Sequence, residues 1–207
     1  MGAVSEHFER LYRAQADPWH VGTAWYERRK RALLLAMLGR ETYLHAFEPG
    51  CGAGDLTRIL ARRCSRLCAV DVSIAAIGHC RGRLAADSIS NVDIMVLDLP
   101  RYWPPAPPEG FDLIIVSELA YYLDDAALAQ FLSALDATLA HGGELVACHW
   151  RQAFHDRLQS TDALHEAMAA LPGLALQSHH LEAEFRMDLW RRQAEETSHD
   201  RNLHPGA

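Results

Sequence analysis

Apolar and polar positions change their period along the chain. Between residues 43 and 148, short apolar runs recur at 43–47, 67–72, 92–97, 111–117 and 144–148. Each has the length of a strand, and 111–117 (FDLIIVS) is almost wholly apolar, as a strand buried on both faces must be. The stretches between them have helical spacing. Leu56, Ile59, Leu60 and Arg63 make one, and residues 73–86 a second. Leu128, Phe131, Leu132, Leu135 and Leu139 make a third, behind Asp124 as its cap and before His141-Gly142-Gly143 as its stop. Residues 100–110 hold five prolines in eleven positions, which predicts a loop.

The flanks differ in texture. The first 40 residues read as helical, with Leu33, Leu34, Met37 and Leu38 on one face and Gly39 as a stop. Asp17-Pro18-Trp19 separates two helices, because the residue before proline disfavours the α region. After residue 150 the pattern predicts a helix over 162–171, then alternating strands at 174–181 and 184–190. The short connection between those two strands makes them antiparallel. The expectation is an α/β fold, a mostly parallel sheet of seven strands with helices on both faces and an antiparallel terminal pair. Residues 1–40 are predicted as an N-terminal helical lid, 41–192 as the sheet domain and 193–207 as a polar tail.

Composition narrows the class. Of 207 residues, 49% are hydrophobic and 23% charged, which excludes a disordered chain. Twenty Lys and Arg against 27 Asp and Glu leave −7, a poor balance for sequence-independent binding of nucleic acid. The apolar run at 32–38 is too short for a bilayer, and the N-terminus carries Glu6 and Glu9 with no secretory pattern. Five cysteines, an odd number, suit reduced thiols in the cytoplasm. Cys64-x-x-x-Cys68 has no second cluster at zinc spacing, and His179-His180 alternate faces of a strand, so no metal is expected.

An open α/β sheet binds its ligand beyond the carboxyl ends of its strands. The first strand runs into Glu48-Pro49-Gly50-Cys51-Gly52-Ala53-Gly54-Asp55. Glycines there let a backbone turn sharply and approach a ligand. The dinucleotide fingerprint G-x-G-x-x-G is not met, since position 55 is Asp, and Glu48 disfavours a pyrophosphate. Asp71 ends the second strand, where a carboxylate accepts both ribose hydroxyls. Asp98 ends the third, placed to accept from an adenine amino group. Three carboxyl-bearing strand ends around a glycine loop describe a pocket for adenosine carrying a cation.

With Phe111-Asp112-Leu113-Ile114 and Leu139-Ala140-His141-Gly142-Gly143-Glu144-Leu145, this set resembles the class I S-adenosylmethionine-dependent methyltransferases over residues 43–150. The resemblance implies a Rossmann-like sheet and S-adenosylmethionine as cofactor. Asp17-Pro18-Trp19, Tyr26-Glu27, Lys30 and Ser117-Glu118-Leu119-Ala120-Tyr121-Tyr122-Leu123 are similar to the nodulation-type N-methyltransferases, which act on the free amine of an amino sugar oligosaccharide. The chain departs from them at Gly52 and Gly54 and at His149-Trp150-Arg151, which leaves the acceptor open.

That resemblance assigns roles. Gly50, Cys51, Gly52 and Gly54 let the loop approach the amino-acid part of the cofactor, and Glu48 holds its ammonium. Asp71 holds the ribose, Asp98 and Leu99 the adenine edge, and Val72 its flat face. Ser117 and Glu118 lie beside the transferable methyl. Lys30 or Arg31 pairs with the cofactor carboxylate, unless the basic cluster is a solvated helix face. Trp19, Trp25 and Tyr26 form an aromatic lid, or else pack the N-terminal helices on the sheet. Glu118 and His149 are candidate bases, and Tyr121 and Tyr122 orient the acceptor. The expected function is N-methylation of a small-molecule amine in the cytoplasm, with a small-molecule O-methyltransferase and a non-catalytic cofactor-binding protein as alternatives. An oxidoreductase is disfavoured by Asp55. A DNA-base methyltransferase is disfavoured by the lack of proline after the fourth strand.

Overall fold

A computed structural model describes residues 3–194 of the chain. Two helices, α1 (Ala3–Ala14) and α2 (Trp25–Met37), precede the sheet. Then come β1 (Tyr43–Pro49), α3 (Thr57–Leu60), β2 (Cys64–Asp71), α4 (Ile74–Ala86), β3 (Val92–Val96) and β4 (Phe111–Ser117). A 3-10 turn (Ala120–Tyr122), α5 (Asp125–Thr138), β5 (Leu139–Trp150), α6 (Thr161–Ala169), β6 (Leu174–Leu181) and β7 (Phe185–Arg192) complete the order.

The seven strands form one sheet in the order β3-β2-β1-β4-β5-β7-β6. β1 to β5 pair in parallel, and β7 lies antiparallel between β5 and β6. This is the Rossmann-like sheet with an antiparallel terminal pair that the apolar pattern and the resemblance predict. Strand order reverses between β1 and β4, which opens a crevice at their carboxyl ends. Leu113, Ile114, Ile115 and Val116 of central β4 are wholly buried. Each such side chain contributes about 1.5–3 kcal/mol relative to exposure.

Both faces of the sheet are covered. α2 and α3 bring Leu34, Leu38 and Leu60 to one face, and α4 packs Ile77, Cys80 and Leu84 nearby. α5 and α6 bring Phe131, Leu135, Leu164 and Met168 to the other. The proline-rich loop stands where a crossover helix would lie. Its Trp103 packs on Phe47 and Phe131 with ring centroids 5.2 and 5.3 Å apart.

Two boundaries differ from the periodicity. Leu139, read as the last position of the helical stripe, is already in β5 and pairs with Phe111. The register then jumps from Phe111↔Leu139 to Leu113↔Glu144, and Gly142 takes φ +69° inside the irregularity. The glycines therefore serve a bulge in the strand and not a helix stop. The predicted helix at 56–63 is one α turn followed by a 3-10 turn (Ala61–Arg63). Gly39 lies past the end of α2, and a Cβ there would come within 2.6 Å of Glu144 Oε1. That carboxylate, fully buried, accepts from Tyr43 Oη at 2.5 Å and from Gly39 N at 3.2 Å. Of the polar tail expected from 193, residues 195–207 lie outside the described residues.

Candidate active site

A cavity of about 1060 Å³ opens at the carboxyl ends of β1 to β4, against α1 and α2. It is at the upper end of the range for small-molecule sites, with room for a nucleoside-sized ligand and a second molecule. Trp19, Lys30, Glu48, Gly50, Cys51, Gly52, Asp71, Val72, Asp98, Leu99, Ser117, Glu118, Tyr121 and Tyr122, all singled out from sequence, line it.

The loop after β1 is built from left-handed backbone. Gly50 and Gly52 have φ of +72° and +54°, accessible to glycine at little cost. Gly50 N and Cys51 N donate to Val70 O of β2 at 2.8 and 2.9 Å. Gly52 N donates to Asp71 Oδ2 and Ser73 N to Asp71 Oδ1, each at 2.9 Å. Burial raises the Asp71 pKa, while these backbone donors pull it back down. One carboxylate thus fixes the glycine loop and the start of α4 together. Ser73 caps α4 and also donates to Glu9 Oε2 of α1 at 2.8 Å, which ties the N-terminal helix to this corner.

Glu48 lines the cavity and is 4% exposed, yet its Oε2 has no hydrogen-bond partner among the described residues. Burial pushes its pKa up to about 8. A proton held in the folded chain and lost above pH ~4.3 in the unfolded chain has a defined consequence. Its stabilising contribution is complete below the unfolded value and disappears as pH rises through about 8.

Glu118, just beyond β4, also lines the cavity. Its backbone is left-handed, with φ +54°, a strained state for a side-chain-bearing residue. Glu118 Oε1 accepts from Lys30 Nζ at 2.7 Å. Glu118 Oε2 accepts from Tyr121 Oη at 2.6 Å and Trp150 N at 3.0 Å. A carboxylate offers about four lone-pair sites, so these three contacts leave about one for an incoming N–H or O–H. Lys30, 6% exposed, also meets Glu27 Oε2 at 3.0 Å. Burial alone would lower the Lys30 pKa, but Glu118 and Glu27 outweigh it and hold it raised. Burial pushes the Tyr122 pKa up to about 12. Phe8, Trp19, Tyr122 and Phe154 form a continuous aromatic wall, with centroids 6.1, 4.9 and 5.6 Å apart in turn from Trp19.

Two of the predicted site residues fall outside the cavity lining. Gly54 has φ +85°, and a Cβ there would meet Cys80 Sγ at 2.6 Å, so this glycine packs the loop on α4. His149 is wholly buried beside His165 and does not face the cavity. β5 runs on to Trp150, so Cys148 and Trp150 line the cavity and His149, between them, points to the opposite face. Trp25 is 68% exposed and does not line the cavity, whereas Tyr26 does and packs edge-on against Trp150. Lys30 spends its ammonium on Glu27 and Glu118. Arg31 lines the cavity with no carboxylate partner among the described residues and donates to Val21 O at 3.1 Å. Phe8 and Tyr12 were not foreseen. Their signal is the spacing Phe8, Leu11, Tyr12 on an amphipathic helix, and Tyr12 Oη comes within 2.5 Å of a Cβ built on Gly52.

Comparison with known proteins gives a consistent set. The sequence model of the family described as nodulation protein S (NodS) matches residues 4–172. Nodulation protein S of Bradyrhizobium diazoefficiens is 38% identical over 134 residues, 61% of this chain and 62% of that protein. The protein of the same name from Rhizobium tropici is 32% identical over 181 residues, 86% of this chain and 74% of that one. The match thus spans just under two thirds of the first relative's length. The crystal structure of N-methyltransferase NodS from Bradyrhizobium japonicum WM9, in complex with S-adenosyl-L-homocysteine, superposes with a TM-score of 0.80 at 26% identity. It covers 92% of this chain and 99% of that one. Among the described residues, no helix is long and apolar enough to cross a membrane.

Proposed function

The chain belongs to the NodS family, and on that premise we propose that it is an S-adenosylmethionine-dependent methyltransferase that N-methylates an amine on a small molecule in the cytoplasm. One juxtaposition carries the reading. A buried carboxyl oxygen without a partner, on Glu48, shares a cavity with a glycine loop, with Asp71 and with Glu118.

The donor set suits that cofactor. Glu48, Asp71 and Asp98 around the loop disfavour a phosphate and favour an ammonium, ribose hydroxyls and an adenine amino group. Arg31, with no carboxylate partner among the described residues, holds the cofactor's carboxylate, because the Lys30 ammonium is already taken by Glu27 and Glu118. Val72 and Leu99 cover the adenine. When bound, S-adenosylmethionine supplies a methyl group on a sulfonium, already activated for displacement.

The chain's own work is then positioning and proton management. An amine attacks only through a free lone pair. Glu118 offers its remaining acceptor site to the amine N–H, and Lys30 and Tyr121 keep that carboxylate in place. Tyr122 and the aromatic wall orient the acceptor, and their faces attract the cationic character that builds on nitrogen. α1 and α2 act as a lid over both ligands, with Phe8, Tyr12 and Trp19 closing the cavity.

Incubating the protein with labelled S-adenosylmethionine and a panel of small molecules tests this reading. Label is expected on an amine, a free-amine glucosamine oligomer being the first to try. Label found only on hydroxyl acceptors, or on none of the panel, counts against it.

A further inference from the structure

One buried polar cluster is left unused by the roles above. His149 at the end of β5 and His165 on α6 are both wholly buried, and Asp188 on β7 is 1% exposed. His149 Nδ1 lies 3.0 Å from His165 Nε2, and His165 Nδ1 lies 2.7 Å from Asp188 Oδ2. Arg186 Nε donates to the same Oδ2 at 2.8 Å, and His179 Nδ1 meets Oδ1.

The proton positions follow from donor counting. Burial would raise the Asp188 pKa, but bonds from His165 and His179 outweigh it and hold it down to about 2. An ionised carboxylate only accepts, so His165 carries its proton on Nδ1. Burial lowers the pKa of both His165 and His149, and for His149 the charges of Arg157 and Lys30 act the same way. Both rings are therefore neutral. His165 Nε2 must accept, so His149 donates from Nδ1. That leaves His149 Nε2 as a bare lone pair, buried and with no hydrogen-bond partner among the described residues. Leaving such an acceptor unpaired costs stability, so the chain of three residues invites a functional reason.

The reason lies in what His149 holds. Its ring packs edge-on against Tyr121, with centroids 5.3 Å apart. Tyr121 Oη is one donor to Glu118 Oε2, and the amide of the very next residue, Trp150, is the other. Both donors to that oxygen are thus set by where His149 sits. The left-handed backbone of Glu118 persists only if its surroundings fix it.

We propose that Asp188, His165 and His149 form a positioning chain that anchors the end of β5 to α6 and β7 and so holds Tyr121 and Trp150 against Glu118. The proposal rests on the reading of Glu118 as the group that meets the acceptor amine. His149 is a positioning residue here, acting through Tyr121 and Trp150 and not on the substrate.

His149→Leu and His149→Asn in the full chain separate the possibilities. Asn keeps an N–H near the Nδ1 position for His165, whereas Leu has comparable bulk and no donor. Amide exchange by ¹⁵N NMR reads the positioning without turnover. The Trp150 amide is expected to exchange at least tenfold faster in the Leu variant, while the Gly52 amide is unchanged, and Asn is expected to restore most of the protection. Methyl transfer to the glucosamine oligomer is expected to follow, with kcat down at least tenfold in the Leu variant and S-adenosylhomocysteine affinity within about twofold. Histidine ¹⁵N shifts of the wild type are expected to show His149 protonated on Nδ1 and bare on Nε2. Unchanged Trp150 exchange in the Leu variant, equal losses in both variants, or a proton on Nε2 overturns the proposal. Wild-type protein that binds cofactor and methylates no amine contradicts the proposed function instead, and the exchange result still decides the positioning.

Discussion

Replacing Asp71 by Ala is expected to weaken binding of S-adenosylmethionine and S-adenosylhomocysteine by about 10²–10⁴-fold. Two effects add. The ribose hydroxyls lose a charged acceptor, and hydrogen bonds to charged groups are worth about 1.5–3 kcal/mol each. At 1.4 kcal/mol per factor of ten, two such bonds give that range. The second effect is on the loop. Asp71 accepts from Gly52 N and Ser73 N at 2.9 Å, so the Ala variant frees the glycine loop and the start of α4 at once. Asp71→Asn retains one acceptor oxygen and is expected to fall between the two. Calorimetric titration of the three proteins measures this. An Ala variant binding within threefold of wild type would show that the carboxylate serves only as a cap for α4.

Glu118→Gln is expected to separate chemistry from cofactor binding. The amide keeps the shape and one acceptor oxygen, but it cannot take a proton and turns an N–H₂ toward a cluster of donors. Loss of a general base costs about 10²–10⁴-fold in rate. kcat for amine methylation should fall by that order, while S-adenosylhomocysteine affinity changes little, because Glu48, Asp71 and the glycine loop keep their own contacts in the variant. Stability should fall by about 1–2 kcal/mol, since buried Lys30 loses one partner and keeps Glu27. Steady-state rates beside a thermal melt read both quantities. A variant with wild-type kcat would remove Glu118 from the chemistry.

The sequence is most legible where structure is local. β4 is an almost wholly apolar run, Asp124 and Ser73 sit at helix starts, and Glu48, Asp71, Asp98 and Glu118 lie at or just beyond strand ends, as the alternation predicts. The misses have two physical sources. One is strand length. Ending β5 at Cys148 makes His149 a loop residue free to face the ligand, whereas two more paired residues fix its parity and turn it away. The same source moves Leu139 from helix to strand, because a bulge can absorb glycines that otherwise read as a stop. The other is contact distant in sequence. Tyr12 reaches Gly52, and Glu9 reaches Ser73, across 64 residues or fewer, and no local pattern encodes either meeting. Gly54 shows both at once, since its place in the motif is local but its neighbour, Cys80, is not.

The measurement that bears most directly on the central claim is a calorimetric titration of the wild-type protein with S-adenosylhomocysteine at pH 7, run in two buffers of different ionisation heat. Glu48, with its pKa raised to about 8, is largely protonated at that pH before binding. An ammonium brought to its unpartnered oxygen favours the carboxylate, so binding should release up to one proton and tighten as pH rises toward 8. One site per chain, with proton release that disappears in Glu48→Gln, is the expected result. No binding at millimolar ligand, or binding with no buffer dependence in the wild type, would contradict a cavity built for this cofactor around Glu48.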